Sequence, residues 1–296
     1  MGSSSSNSTR PPPATDTKIV LSSDGEQIYA EATGDPSKPH AVLLHGLALS
    51  GAVFDEFCAT PKLLENLYIV RYDIRGHGRS CMPMTPEGHA SKLYADDFKA
   101  VVEAFGLRKP TLIGWSMGGI ISADIAAHLP PYTLSGIFYL ASAPHKGVIL
   151  GTAAAPALGA AIQGCSDPST LLSALVDFAD ACITSTTNPT PPYHLRCLLT
   201  GAMALQPNEM RGLTLTREQD PAPLQKLLAT GIPVLVMYGT DDKLTQGSVV
   251  EKEVTTHATE AELLAVPGTG HMLFWEKPLL VASTIVRFVA ERAHRV

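Results

Sequence analysis

Apolar residues along this chain gather in short runs, and longer stretches with helical spacing lie between the runs. Eight runs have strand length: residues 18–22, 27–33, 41–44, 68–73, 111–115, 136–140, 234–238 and 262–266. Several, such as Ala41-Val42-Leu43-Leu44 and Val234-Leu235-Val236-Met237, are continuously apolar. Strands buried on both faces read this way, whereas half-exposed strands alternate. Asp24-Gly25 between the first two runs is a hairpin signal, so the N-terminal edge is expected to be antiparallel.

The intervening stretches 52–64, 91–105, 117–129, 248–256 and 278–294 have the length and residue types of helices. Gly106 stands where a C-cap glycine belongs, and Pro130-Pro131 stops the third stretch. Strands alternating with helices predict an α/β fold, a mostly parallel eight-stranded sheet with helices on both faces. The rhythm breaks over residues 147–230, which are alanine rich and interrupted by Pro156, Pro168, Pro189, Pro191, Pro192 and Pro207. A structureless connection of that length is improbable in a compact domain, so an inserted helical cap is expected there. Residues 17–146 and 231–296 then form the core domain. Residues 1–16 are serine and proline rich with almost nothing apolar to bury, and are expected to form a disordered tail.

Charge and composition narrow the possible partners. The formal net charge of −6 is spread without long like-charged blocks, so no footprint for nucleic acid exists. No run of about 18 apolar residues offers a membrane span, and no apolar segment typical of a signal peptide follows the start. A cytoplasmic enzyme acting on a small, weakly charged molecule is the expectation. Cys58, Cys81, Cys165, Cys182 and Cys197 form no CxxC pair and leave an odd count, which argues against a disulfide framework and a zinc site. Buried free thiols are expected, with one bridge among Cys165, Cys182 and Cys197 open in a secreted protein. Neither a metal nor a cofactor is implied, and oligomeric state leaves no trace in the sequence.

Chemistry enters at Gly114-Trp115-Ser116-Met117-Gly118, which lies between an apolar strand and an alanine-rich helix. A sharp strand-to-helix turn of this kind holds serine in a strained conformation with its hydroxyl exposed, and the flanking glycines avoid collisions. Ser116 acting only as a helix cap would not explain glycines on both sides. A serine hydroxyl is a poor nucleophile at neutral pH, so a histidine must take its proton. His271 lies in the glycine-rich turn Pro267-Gly268-Thr269-Gly270-His271, between the last expected strand and the last helix. Loops at the carboxyl ends of strands are where ligands bind in open α/β sheets. His45, in His45-Gly46 after a strand, and His77, in Asp73-Ile74-Arg75-Gly76-His77, compete with it. The histidine needs a carboxylate on its other nitrogen, and both Asp241 and Asp242 follow a strong apolar strand.

These motifs resemble the α/β-hydrolase superfamily, in the branch of lipase-like esterases and cofactor-free haloperoxidases or perhydrolases. Gly114-Trp115-Ser116-Met117-Gly118-Gly119 is very like that branch's nucleophile motif, and the likeness runs from roughly residue 18 to 293. The resemblance implies Asp242 as the acid, because family members commonly read Gly, two variable residues, then Asp, and Gly239 sets the count. The other place where the family carries its acid, after residues 136–140, has no Asp or Glu from Ala141 to Ser166. The chain order Ser116, Asp242, His271 is that of the fold.

The resemblance further implies an oxyanion hole from the backbone N–H groups of Met117 and Leu47. His45-Gly46-Leu47-Ala48 departs from the HGGG pattern of one esterase group, which weighs against bulky tertiary-alcohol esters. Trp115, Leu47 and Met272 are expected as pocket walls by adjacency. Apolar cap residues, among them Leu150, Leu158, Ile162, Leu175 and Phe178, suit an acyl or alkyl group. The function expected is cleavage of a small, largely apolar carboxylic ester through an acyl-enzyme. Acyl transfer, perhydrolysis, thioester or carbon–carbon bond cleavage by the same residues are alternatives, as is a small-molecule receptor on a hydrolase scaffold.

Overall fold

The computed structural model describes residues 16–183 and 191–293. The expected tail lies outside these residues except for Asp16, which opens the first strand, and Pro189 and His294 also lie outside them. Eight strands form one sheet: β1 Asp16–Leu21, β2 Gln27–Gly34, β3 His40–Leu44, β4 Tyr68–Tyr72, β5 Thr111–Trp115, β6 Gly136–Leu140, β7 Val234–Gly239 and β8 Ala261–Val266. Their order across the sheet is β1-β2-β4-β3-β5-β6-β7-β8. β1 pairs antiparallel with β2, and β2 with β4, while every other pairing is parallel. The Asp24-Gly25 hairpin forms as expected, with Gly25 in the left-handed region.

Burial follows the hydrophobic pattern. β3, β4, β5 and β6 are buried at every position, as continuously apolar strands covered on both faces must be. The edge strands β1 and β8 alternate or stay largely exposed. The helices Ser91–Ala104, Gly247–His257 and Pro278–Ala293 match their expected positions closely. The stretch expected as one helix at 52–64 is instead three short pieces, Gly51–Phe54, Asp55–Cys58 and Pro61–Leu64. Pro61 forces the break, since Thr60 before it is extended (φ −65°, ψ 135°) and so outside the helical region.

Between β6 and β7 lie the helices Pro156–Gly164, Leu171–Cys182, Tyr193–Leu205, Asn208–Thr216 and Ala222–Ala229. The first three pack on one another in sequence. The last packs instead on Ile121–His128 and Gly247–His257, helices of the sheet's own layer, although it falls within the range 147–230. All five cysteines are free; Cys58, Cys165 and Cys182 are buried and Cys197 is exposed. Among the described residues no helix is long and apolar enough to cross a membrane.

Candidate active site

β3 lies between β4 and β5, so the chain leaves β3 to one side and returns on the other. Such a switch opens a crevice at the carboxyl ends of the strands. The loops after β3, β5, β6, β7 and β8 all emerge at this edge, and in that order they carry Gly46, Ser116, Ser142, Asp242 and His271.

After β5 the backbone turns at Ser116 with φ 53°, the left-handed region that a residue with a side chain rarely adopts. Space explains the neighbouring glycines. A Cβ on Gly114 would stand 2.2 Å from the Cα of Gly119, and one on Gly118 would stand 2.5 Å from the carbonyl oxygen of Leu44. The glycine pair permits a tight 3-10 turn, Ser116–Ile120, before the regular helix Ile121–His128, where a single helix from 117 was expected. Ser142, at the end of β6, donates from its hydroxyl to the Ser116 carbonyl and holds the turn from below. Sequence reasoning missed Ser142, because a serine after a strand carries no signal of its own.

His271 and Asp242 come together as a pair. Nδ1 of His271 lies 2.8 Å from Oδ2 of Asp242, and both side chains are 1 % exposed. The other carboxylate oxygen of Asp242 accepts from the backbone N–H groups of Leu244 (2.8 Å) and Thr245 (3.0 Å), which fixes its orientation. Asp241 points elsewhere, its Oδ1 accepting from the Thr240 hydroxyl. Nε2 of His271 is buried and has no hydrogen-bond partner among the described residues. It therefore makes no hydrogen bond to Ser116 in this state. Gly46, after β3, closes over Ser116: a Cβ there would stand 3.0 Å from the Cβ of Ser116.

Met117 is the second residue of a short helix, so its N–H is among those a helix leaves without an internal partner. Leu47 follows Gly46, and Leu47, Ser116 and Met117 line one small cavity of about 20 Å³. Its other walls include Lys146, Leu150, Leu158, Phe178 and Leu215. Of the apolar residues expected from the insertion, Leu150, Leu158 and Phe178 line this cavity, whereas Ile162 and Leu175 line a second one beside it.

Trp115 and Met272 require correction. Both are fully buried and neither borders either cavity beside Ser116. Trp115 packs against Phe54, Phe274 and the His271 ring, and its indole N–H donates to the His271 carbonyl at 2.9 Å. The backbone N–H of Met272 donates to the carbonyl of Cys182 at 3.0 Å. Both hold the histidine loop instead of lining a pocket. A residue next to Ser116 on a strand end projects to the opposite side, so adjacency along the chain does not place it in the pocket.

The competing histidines are held by the backbone. His45 Nδ1 faces the Gly46 carbonyl at 2.8 Å, while its Nε2 accepts from the N–H of Ile74 at 2.9 Å. His77 Nδ1 faces the Arg75 carbonyl at 3.1 Å. Burial holds both below the usual histidine value; for His77 burial and the neighbouring His45 push it down to about 3. Two backbone hydrogen bonds tie the insertion to the core nearby. Ala155 N–H donates to the Leu244 carbonyl and Gln246 N–H to that of Ala153, so the loop of Asp242 is laced to the segment entering the helices. Among the described residues no group of three or more His, Cys, Asp or Glu is placed to hold a metal.

A sheet of this order, with helices on both faces and a strained serine turn at its switch point, has the α/β-hydrolase fold. The chain belongs to the alpha/beta hydrolase family, whose model matches residues 41–284. Among curated proteins it is similar to the "Probable oxidoreductase EphD" of Mycobacterium tuberculosis, 35% identical over 106 residues, covering 35% of this chain and 18% of that protein. The match thus spans less than a fifth of that relative's length. It is also similar to the "Non-heme haloperoxidase" of Rhodococcus erythropolis, 26% identical over 279 residues, covering 86% of this chain and 92% of that protein. Among solved structures, the esterase RhEst1 from Rhodococcus sp. ECU1013 superimposes with a TM-score of 0.81 at 26% identity, over 93% of this chain and 98% of that one.

Proposed function

We propose that the protein is a serine hydrolase cleaving a small, largely apolar carboxylic ester. The observation that carries this reading is the buried Asp242–His271 pair, 2.8 Å apart, with Nε2 left without a hydrogen-bond partner, on loops at the same sheet edge as the strained turn of Ser116. Asp242 takes the proton-bearing Nδ1, so Nε2 is left with the lone pair that a general base needs. Substrate binding turns the Ser116 hydroxyl onto Nε2, a contact that commonly tightens only in the complex. Oγ then attacks the ester carbonyl while Nε2 takes its proton. The oxyanion is met by the N–H groups of Met117 and Leu47. His271 returns the proton to the departing alcohol, and water activated by the same nitrogen releases the acid from the acyl-enzyme.

The helices of the insertion act in this reading as a cap. They supply Leu158, Phe178 and Leu215 to the cavity wall, which suits an apolar group and disfavours bulk near the reacting carbon. The test is fluorophosphonate labelling of the full chain, followed by assays on short p-nitrophenyl esters. The label should map to Ser116 and vanish in His271→Ala. Ser116→Ala should lower kcat by on the order of 10⁶. Ester hydrolysis that persists in Ser116→Ala rules the reading out.

Likeness to a non-heme haloperoxidase favours one variant of the same chemistry. Hydrogen peroxide replaces water as acceptor, so the acyl group leaves Ser116 as a peracid. Peracid formed in proportion to added peroxide, at the expense of acid and dependent on Ser116, separates the two outcomes.

A further inference from the structure

The cavity at Ser116 holds little more than a water molecule, but it is not alone. A second cavity of about 220 Å³ adjoins it, and Leu47, Phe178 and Leu215 border both. The helix Asn208–Thr216 forms a wall of the larger one through Asn208, Arg211, Gly212 and Leu215, which at spacings of three and four lie on one helix face. A Cβ at Gly212 would meet nothing within 4 Å, as expected of a position facing open space.

Arg211 is the unusual member of this wall. It is 7 % exposed, yet none of the ion pairs among the described residues includes it. Its contacts are the side-chain oxygen of Asn208 (3.0 Å) and the carbonyls of Met203 (2.7 Å) and Gln206 (3.2 Å), where the helix Tyr193–Leu205 ends. Those acceptors fix the guanidinium plane without neutralising it, and Nε is left buried with no hydrogen-bond partner. A buried cation is costly unless paired, and a guanidinium fork matches a carboxylate in shape and charge.

We propose that Arg211 binds a carboxylate at the far end of the substrate, so that the preferred ester carries an anionic group joined to its reacting carbonyl by a short apolar spacer. The spacer passes between Leu47, Phe178 and Leu215, and the carboxylate meets Arg211 beside Asn208. This rests on the serine-hydrolase reading and refines it by naming the substrate class. The net charge of −6 makes long-range attraction of an anion weak, so recognition has to be local, at one built site.

The experiment uses the full chain and two substrate series of increasing spacer length. One series carries the carboxylate on the acyl side, as mono-p-nitrophenyl esters of straight-chain dicarboxylic acids. The other carries it on the alcohol side, as acetyl esters of ω-hydroxy acids. Each is paired with a neutral methyl-terminated ester of equal length, and the readout is the ratio of kcat/KM within each pair. In the wild type one series should show a ratio above one by about tenfold or more at a single best length, as a charge-assisted hydrogen bond provides. Arg211→Met should collapse that ratio to about one through KM, and Arg211→Lys should restore part of it. Gly212→Leu, which fills the larger cavity, should lower the ratio without touching the guanidinium. If Arg211 only closes the end of a helix, Arg211→Met lowers both members of each pair together and leaves the ratio unchanged, which overturns the proposal. Neutral esters preferred at every length in the wild type overturn it as well. Failure to hydrolyse any ester, neutral or charged, strikes the underlying reading instead.

Discussion

The indole N–H of Trp115 donates to the backbone carbonyl of His271 at 2.9 Å, joining the residue before Ser116 to the candidate base 156 positions away. The serine turn and the histidine loop are therefore fixed to each other by a bond outside the chemistry. Trp115→Phe keeps an aromatic ring among Phe54 and Phe274 but leaves the carbonyl without its donor. The expected loss is about 1–3 kcal/mol of stability, read from urea unfolding. Because Trp115 borders neither cavity, kcat should fall by roughly ten to a hundredfold while KM stays within about twofold. A change confined to KM would place the indole in the pocket after all.

The two neighbouring carboxylates divide by geometry. Asp242→Asn offers an amide where the histidine needs an acceptor, which turns the imidazole to the wrong tautomer. Its kcat on short esters should drop by on the order of 10⁴. Asp241→Asn, whose side chain meets the Thr240 hydroxyl, should cost less than about tenfold. Steady-state kinetics on both variants checks this, and equal losses would remove the assignment of Asp242.

Much of the site is legible in the chain itself, and the reason is physical. Buried parallel strands such as β3 and β5 must be continuously apolar, and the turns at their ends must use glycine, so Ser116, Asp242 and His271 stand beside strong local signals. The choice of Asp242 over Asp241 is not legible from the residues, since both follow β7; it rests on resemblance, to which the structure adds a 2.8 Å contact between Asp242 and His271. The walls are hidden for a different reason. Lys146, Phe178, Leu215 and Leu244 come from separate loops and helices, and only tertiary packing brings them to one cavity. Ser142 gives no signal at all, and the break at Pro61 is present in the sequence but outweighed by apolar spacing.

Acid should destabilise the fold through the buried histidines. His77 is held down to about 3, against an ordinary value of 6.5 in the unfolded chain, by burial first and by the neighbouring His45 second. Between those values the unfolded chain binds a proton that the folded chain refuses, so stability rises with pH. The contribution is fully present above 6.5 and is lost steadily as pH falls toward 3. The slope for one such group is about 1.4 kcal/mol per pH unit. His77→Asn keeps a donor for the Arg75 carbonyl and removes the titration. From pH 6.5 to 5 its unfolding free energy should decline by about 2 kcal/mol less than that of the wild type. Parallel declines in urea melts at the two pH values would mean that His77 protonates freely in the native state.

Phe178 stands where the two cavities meet, and it is one of three residues bordering both the cavity of about 20 Å³ beside Ser116 and that of about 220 Å³ beyond. With the ring in place, an acyl chain must thread past it, which favours short acids. Phe178→Ala opens the spaces into one, so the preferred p-nitrophenyl ester should shift from short toward longer acyl chains, mainly through a lower KM for the long members. Truncation of a buried phenylalanine costs about 3–5 kcal/mol in a packed core, and a side chain already bordering empty space should fall at the low end. A chain-length series from acetate to decanoate, with a thermal melt on the same preparation, separates the two effects. If the melt falls but the length profile does not move, the larger cavity is closed to substrate and the acyl group leaves the site by another path.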